Sequence, residues 1–375
     1  MKPIYLDYNA TTPIANEVAD AMLPYLFDHF GNPSSSHIFG VHTKMAVEFA
    51  RKQVADLIGA RPSEVIFTSG GTEANNYAIN GYCLNHQNRG KHIITSSIEH
   101  PAVIEVCNNL LNDGFELTVL PVDHTGMVNV NELKSAIRDD TILISIMHAN
   151  NEVGTIQPIR EIARIANEHQ IVFHSDAAQS TGKIPVDVNE LGVDLLSIAG
   201  HKLYAPKGVG ALFVREGIEI SNLMHGAGHE RGKRPGTENV LEIVGLGKAC
   251  EIAKRDLAQH QVKLQALRDY LHAELISAFG PENLRLNGHP EQRLPNTLNI
   301  SIKGVEAHSL LTHVNDRVAI SAGSACHADQ VSISSVLMAM EVPGEWARGA
   351  LRISVGRETT EEEIQQAVSI IKDMI

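Results

Sequence analysis

Two periods of apolar and polar positions succeed one another along this chain. Between residues 60 and 215 short apolar runs recur: Val65 to Phe67, His92 to Ile94, Leu117 to Leu120, Leu143 to Met147, Ile171 to His174 and Leu195 to Ile198. Each has the length of a buried strand, and helical segments lie between several of them. One helix starts at Thr72. Another opens at Pro101, where proline suits the first helical position. Continuous apolar strands separated by helices predict a mostly parallel sheet covered by helices on both faces. Ligands of such sheets collect at the carboxyl ends of the strands. A long helical pattern then runs from Asn239 to Ala278, with glycines only near its start. After Gly280, short strands (Thr297 to Ile302, Leu351 to Val355) mix with helices (Glu306 to Val314, Thr360 to Ile375). The expected organisation is α/β: a large domain over 15–255 and a smaller α+β domain built from 1–14 and 256–375. The long helix bridges the two.

Composition narrows the class. The 375 residues suffice for two packed domains, and 43% hydrophobic with 20% charged content is that of a globular chain. A formal charge of −13 leaves no basic excess for nucleic acid or an anionic membrane. No apolar run is long enough to span a bilayer, and Met1-Lys2-Pro3 opens no signal-peptide pattern. The four cysteines lie far apart without C-x-x-C spacing, which fits a reducing, cytoplasmic setting. There are 19 histidines. His225 and His229 are spaced as helical ligands, but Gly226 and Gly228 break such a helix, so no metal is expected.

Chemistry concentrates at the strand ends. Lys202 follows the run ending at Ile198, and Asp176 follows the run ending at His174. A lysine and an aspartate so placed suit pyridoxal 5'-phosphate: the amine condenses with the aldehyde, and the carboxylate keeps the pyridine nitrogen protonated. Thr68-Ser69-Gly70-Gly71-Thr72-Glu73 joins a strand to a helix and suits a phosphate, while matching neither a dinucleotide fingerprint nor a Walker loop. His100 stands at the entrance of the Pro101 helix, where an imidazole can stack on an aromatic cofactor and relay protons. Asn150 and Asn151 follow another strand and can orient a polar ligand. Arg231 to Thr237 is a basic, glycine-broken loop. Arg352 interrupts an apolar strand and needs a carboxylate, from the protein or from an amino-acid substrate. Cys326 sits among small residues (Ser321-Ala322-Gly323-Ser324-Ala325-Cys326-His327-Ala328-Asp329), a setting for an acting thiolate. Taken singly, each stretch is also readable as a turn, a cap or a solvated loop.

Together they resemble the NifS/IscS-type cysteine desulfurases, pyridoxal phosphate enzymes of the class V aminotransferase group, which implies the pyridoxal phosphate-dependent transferase fold with a mostly parallel, seven-stranded sheet in the large domain. The resemblance runs through Tyr5 to Pro13, Gly31 to Ser35, Thr68 to Asn76, Glu99-His100-Pro101, Asn150 to Gln157, Asp176 to Gln179, Gly200 to Lys202, Arg234 to Glu238, Gly323 to Cys326 and Arg352 to Arg357. It implies that Lys202 bonds the cofactor, Asp176 pairs with the pyridine nitrogen, Gln179 meets the ring oxygen and His100 stacks on the ring. Gly71, Thr72 and His201 would hold the phosphate. Thr237 would join them from the other subunit, which implies a homodimer. Asn151 and Arg352, with Asn9, would hold the substrate, and Cys326 would be the nucleophile. The implied reaction takes sulfur from L-cysteine, leaves alanine, and passes the sulfur to an acceptor such as an iron–sulfur scaffold protein.

Three positions depart from the family pattern. Ala199 stands where serine is common before Gly-His-Lys, Ala205 where glycine is usual, and Ile333 where proline is usual. Cys326-His327-Ala328-Asp329 is similar to the loop of selenocysteine lyases, so release of selenium from L-selenocysteine is the alternative. A cofactor-bound assembly platform without catalysis is a further class, opposed by the complete set of Lys202, Asp176, His100 and Cys326.

Overall fold

The computed structural model describes residues 3–322 and 333–375. Cys326, with Gly323, Ser324, Ala325, His327, Ala328 and Asp329, lies outside the described residues. The chain starts with β1 (Ile4–Tyr5), α1 (Asn16–Phe27) and α2 (Ile38–Ile58). Seven strands then form the central sheet: β2 (Val65–Thr68), β3 (His92–Ser96), β4 (Glu116–Leu120), β5 (Thr141–Ser145), β6 (Val172–Asp176), β7 (Leu195–Ala199) and β8 (Gly210–Val214). Between them run α3 (Gly71–His86), α4 (Pro101–Leu110), α5 (Val130–Ala136), α6 (Ile159–Glu168) and α7 (Val188–Leu191).

The spatial order is β2-β8-β7-β6-β5-β3-β4. All neighbours are parallel except where β8 runs against β7 and β2. Apart from β4, the strands are buried along their whole length, which is why their sequences read as unbroken apolar runs. The polar residues among them are satisfied across the sheet. His174 is fully buried, with Nδ1 2.8 Å from Ser145 Oγ and Nε2 3.0 Å from Ser197 Oγ. Burial pulls its imidazole down to about 3, so it is a neutral core residue.

A second core lies beyond the sheet. It is built on a four-stranded antiparallel sheet, ordered β12-β13-β10-β9, from β9 (Leu284–Asn287), β10 (Thr297–Ile302), β12 (Ser321–Ala322) and β13 (Ala350–Ser354). β1 pairs in parallel with β11 (Val318–Ala319), so the first residues of the chain join this end of the molecule. One helix serves both cores. α8 (Val240–Phe279) buries Ile243, Leu246 and Ala253 against the large sheet, and Leu264, Leu271 and Leu275 against the small one. The last helices are α9 (Ala307–Val314), α10 (Ser335–Ala339), α11 (Gly344–Ala347) and α12 (Glu361–Lys372). Among the described residues, no helix is long and apolar enough to cross a membrane.

Candidate active site

Parallel neighbours deliver their carboxyl ends to one edge. β6 ends at Asp176, and β7, paired beside it, ends at Ala199 and runs into the turn Gly200–Lys202. The loop 148–151 follows β5, and His100 follows β3. With the start of α3, these segments wall a cavity of about 260 Å³. Lys202, Asp176, Gln179, His100, Gly71 and Thr72 line it, as do His201, Asn151, Arg352 and Asn9. Thr237 does not. It is exposed in the loop before α8.

Each wall has its own chemistry. Asp176 is buried and accepts from Asn75 Nδ2 at 2.6 Å and from the Ala178 N–H at 2.9 Å. Lys202 Nζ donates to the carbonyls of Asn9 (2.5 Å) and Ala10 (2.8 Å). Burial first, then the Arg352 charge, brings its amine down to about 8, against the opposing pull of Asp7 and Asp176. About a tenth of the amine is therefore neutral at pH 7, far more than for an ordinary lysine. α3 begins at the cavity, and its first N–H groups have no acceptor within the helix. A Cβ on Gly71 would stand 3.2 Å from the Ala199 Cβ, so glycine lets the helix start hard against the end of β7. His201, beside it, is drawn down to about 4 by desolvation and by Lys202 and Lys207. It is a neutral hydrogen-bonding ring, with Nδ1 3.2 Å from Thr11 Oγ1.

His100 caps α4, its Nδ1 accepting the Ala102 N–H at 3.1 Å. That bond leaves the other ring nitrogen as the N–H of the neutral form. Partial desolvation lowers its pKa, Asp176 opposes the shift, and Lys202 adds to it. Gln179 donates from Nε2 to the Asn9 carbonyl at 3.0 Å.

Arg352 meets a carboxylate of the protein. Its Nη2 donates to Asp7 Oδ1 at 2.9 Å and to Ser321 Oγ at 3.0 Å, while its buried Nε has no partner among the described residues. Asn151 also lines the cavity, and its side chain makes no hydrogen bond to any described residue. Asn9 differs from expectation. Its Nδ2 donates to Asn151 O and Thr297 Oγ1, and its Oδ1 accepts from Lys183 and Asn296. All four bonding positions of the amide are spent on the protein. Asn9 therefore offers no side-chain group to a substrate, and its contribution to the cavity wall is a backbone carbonyl.

The residues flanking 323–332 are tied to this same mouth. Ser321 Oγ donates to Asp7 Oδ2 at 2.9 Å. Ser334 caps α10 and donates to Glu152 Oε2 at 2.5 Å, one residue from Asn151.

Sequence reasoning passed over three residues. Asn75 holds Asp176, Asp7 holds Arg352, and Lys183 holds Gln179 and Asn9. Their signals were present: Asn75 lies one helical turn past Gly71, and Lys183 four residues past Gln179. Both are polar residues inside buried segments.

The family model for class-V aminotransferases matches residues 4–367. A cysteine desulfurase IscS from Dictyoglomus turgidum is 50% identical over 375 residues, covering 100% of this chain and 95% of that protein. Another from Methanosarcina thermophila is 49% identical over 375 residues, covering 100% and 92%. A solved NifS-like protein superposes with a TM-score of 0.93 at 37% identity, covering 100% of this chain and 99% of that one.

Proposed function

The chain belongs to the class V aminotransferase family, and from that premise we infer that it is a cysteine desulfurase. It removes sulfur from L-cysteine, releases L-alanine, and carries the sulfur as a persulfide on Cys326. The observation that carries this reading is the convergence, on one 260 Å³ cavity, of a lysine amine held near 8, a buried aspartate and the amino end of α3.

The residues present fit pyridoxal 5'-phosphate. Gly71, Thr72 and His201 offer N–H donors, as a phosphate requires, and the acid of that helix turn, Glu73, is paired with Arg234 at 2.9 Å. Asp176 is a carboxylate fixed by two donors, suited to a pyridinium. Asn75 Oδ1 is buried and unpaired beside it. When bound, the cofactor supplies an aldehyde that condenses with amines and a ring that draws electrons from the substrate α-carbon.

The chain's own groups do the rest. Lys202 would hold the cofactor through its amine, and its Nζ is the group placed to accept the substrate α-proton. His100 would flank the cofactor ring and could hold a proton at the nitrogen not bonded to Ala102. Arg352 and Asn151 orient the substrate carboxylate. The Cys326 thiolate attacks the substrate sulfur. An S–S bond forms, the C–S bond breaks, its electron pair stays with the carbon, and proton return there gives alanine. The persulfide then passes to a thiol-bearing acceptor, such as an iron–sulfur scaffold protein, in the cytoplasm.

A homodimer completes this picture. The α1–α2 region leaves Phe27 (74%), Phe30 (75%), Ile38 (70%) and Phe49 (62%) exposed, an apolar surface suited to a second copy. Thr237 stands away from its own cavity and would serve the partner's.

The test is alanine release from L-cysteine by protein loaded with pyridoxal phosphate. Lys202→Ala and Cys326→Ala are both expected to abolish it. Retained turnover in Cys326→Ala would remove the nucleophile assignment. L-Selenocysteine turnover that survives in that variant would mark the selenocysteine-lyase chemistry to which the Cys326-His327-Ala328-Asp329 stretch is similar.

A further inference from the structure

Lys183 is a lysine buried to 6% exposure with no carboxylate partner. Among the described residues it forms no ion pair. Its Nζ donates to Gln179 Oε1 at 2.8 Å and to Asn9 Oδ1 at 3.2 Å. The turn that aims it inward depends on Gly182, whose φ of 78° favours glycine. The charged groups that face Lys183 from other elements are Lys202 and Arg352, both cations. Burial, reinforced by these two charges, drives its pKa well below the ordinary lysine value. An amine kept here against desolvation and like charge is costly, and an apolar side chain of the same length would avoid that cost.

What the amine does is select one orientation of an amide. Gln179 has an oxygen on one side and an NH2 on the other. Lys183 Nζ faces the oxygen, and the Asn9 carbonyl faces the NH2 at 3.0 Å. Flipping the amide would set oxygen against oxygen at the Asn9 carbonyl and take the Gln179 oxygen away from the Lys183 donor. With one N–H taken by Asn9, the second N–H of Gln179 is left for the cavity that this residue lines.

We propose that Lys183 is a positioning residue, which locks Gln179 so that it presents a donor, never an acceptor, to the ring oxygen of bound pyridoxal phosphate. The proposal rests on the cofactor reading above. A donor at that oxygen stabilises its anionic form and so lowers the pH at which the cofactor's visible band titrates. Lys183 acts by its N–H alone, and no charge on it is required.

The experiment is a pH titration of the visible absorbance of the pyridoxal phosphate-loaded protein. Wild type is compared with Lys183→Met, Lys183→Gln, Gln179→Ala and the Lys183→Met, Gln179→Ala pair. Thermal melts of the cofactor-free proteins run alongside. Lys183→Met is expected to raise the titration midpoint by about one pH unit. Lys183→Gln, which keeps a neutral donor, should titrate near wild type. In the Gln179→Ala background, Lys183→Met should cause no further shift, because the lysine acts through the glutamine. A wild-type midpoint in a folded Lys183→Met protein overturns the proposal, and so does an equal shift with and without Gln179. Should Lys183→Met fail to fold, Lys183→Gln decides by itself: a wild-type midpoint supports the proposal and a raised one overturns it. Wild-type protein that develops no visible band sinks the cofactor reading and this proposal together. A titrating wild type with an unmoved Lys183→Met sinks the proposal alone.

Discussion

Asn75 donates from Nδ2 to Asp176 Oδ2 at 2.6 Å, reaching from the first turns of α3 to the end of β6. The helix whose amino end opens on the cavity thereby also aims the carboxylate. Removing the amide leaves that buried oxygen without its donor. A hydrogen bond to a charged group contributes about 1.5–3 kcal/mol. Asn75→Ala should therefore weaken pyridoxal phosphate binding by roughly 10- to 100-fold. Equilibrium titration of cofactor into the apo-protein measures this, and unchanged affinity would show that Asp176 is aimed by other means.

Lys202 makes a pH prediction with a definite sign. Its folded amine titrates at about 8. The unfolded amine titrates at roughly 10.4, so between these values the unfolded chain binds the extra proton. Apo-protein stability attributable to Lys202 should therefore rise with pH across that window. Condensation needs the neutral amine. The rate at which apo-protein develops the visible band should rise with pH and level off above about 8. An apparent midpoint close to that of free lysine would contradict the burial seen at this site.

Glu99 carries the opposite sign. Its Oε1 accepts from Ser96 Oγ at 2.6 Å and the Met147 N–H at 2.9 Å, while the buried Oε2 has no partner among the described residues. Burial, with Asp176 nearby, raises the carboxyl to about 8. The folded state holds a proton that the unfolded chain releases near pH 4, so this contribution to stability is lost as pH rises toward 8. Glu99→Gln keeps the acceptor and removes the titration. It should melt at least as high as wild type at pH 8.5, whereas Glu99→Ala should lose about 1–3 kcal/mol. A glutamine variant less stable than the alanine one would argue for a charged Glu99.

Most of the sheet's strands and the site were legible for one shared reason. β3, β5, β6 and β7 are buried on both faces, so their runs are continuously apolar, and Asp176 and the turn carrying Lys202 stand where those runs stop. The reversed direction of β8 was not legible, because burial leaves the same pattern in a strand running either way. α1 and α2 were obscured by Leu26, Phe27, Ile38 and Phe49, which are exposed and blur the amphipathic period. Asn9 was read as a substrate contact, since sequence does not reveal that its amide is spent on Lys183, Asn296, Thr297 and Asn151. Lys183 and Asn75 went unread because a lysine or asparagine takes its meaning from burial.

The loop bearing Thr237 hangs on a buried ion pair. Arg51 meets Glu230 through two bonds of 2.6 and 2.7 Å, and Glu230 also accepts the Phe67 N–H at 2.9 Å. Arg51→Ala strands a buried carboxylate and should cost about 3–5 kcal/mol in urea denaturation. Replacing both partners (Arg51→Met with Glu230→Leu) should recover part of that loss. If the single and double variants were equally destabilised, the cost would lie in Phe67 rather than in the stranded charge.

The exposed aromatic surface makes a prediction about mass. Phe30 and Phe39 stack at 5.6 Å on the α1–α2 face. Placing aspartates at both positions should halve the mass measured by light scattering and leave the far-ultraviolet spectrum unchanged. A wild-type monomer would refute the assembly directly.

The 40 residues of α8 form an unbroken rod about 60 Å long at 1.5 Å per residue. Its two halves are wedged into different cores, so neither end can melt without unravelling a helix the other end needs. Heat should therefore take the molecule apart in a single step, and a protease cut around Gln259, between the two wedged halves, should split that step into two.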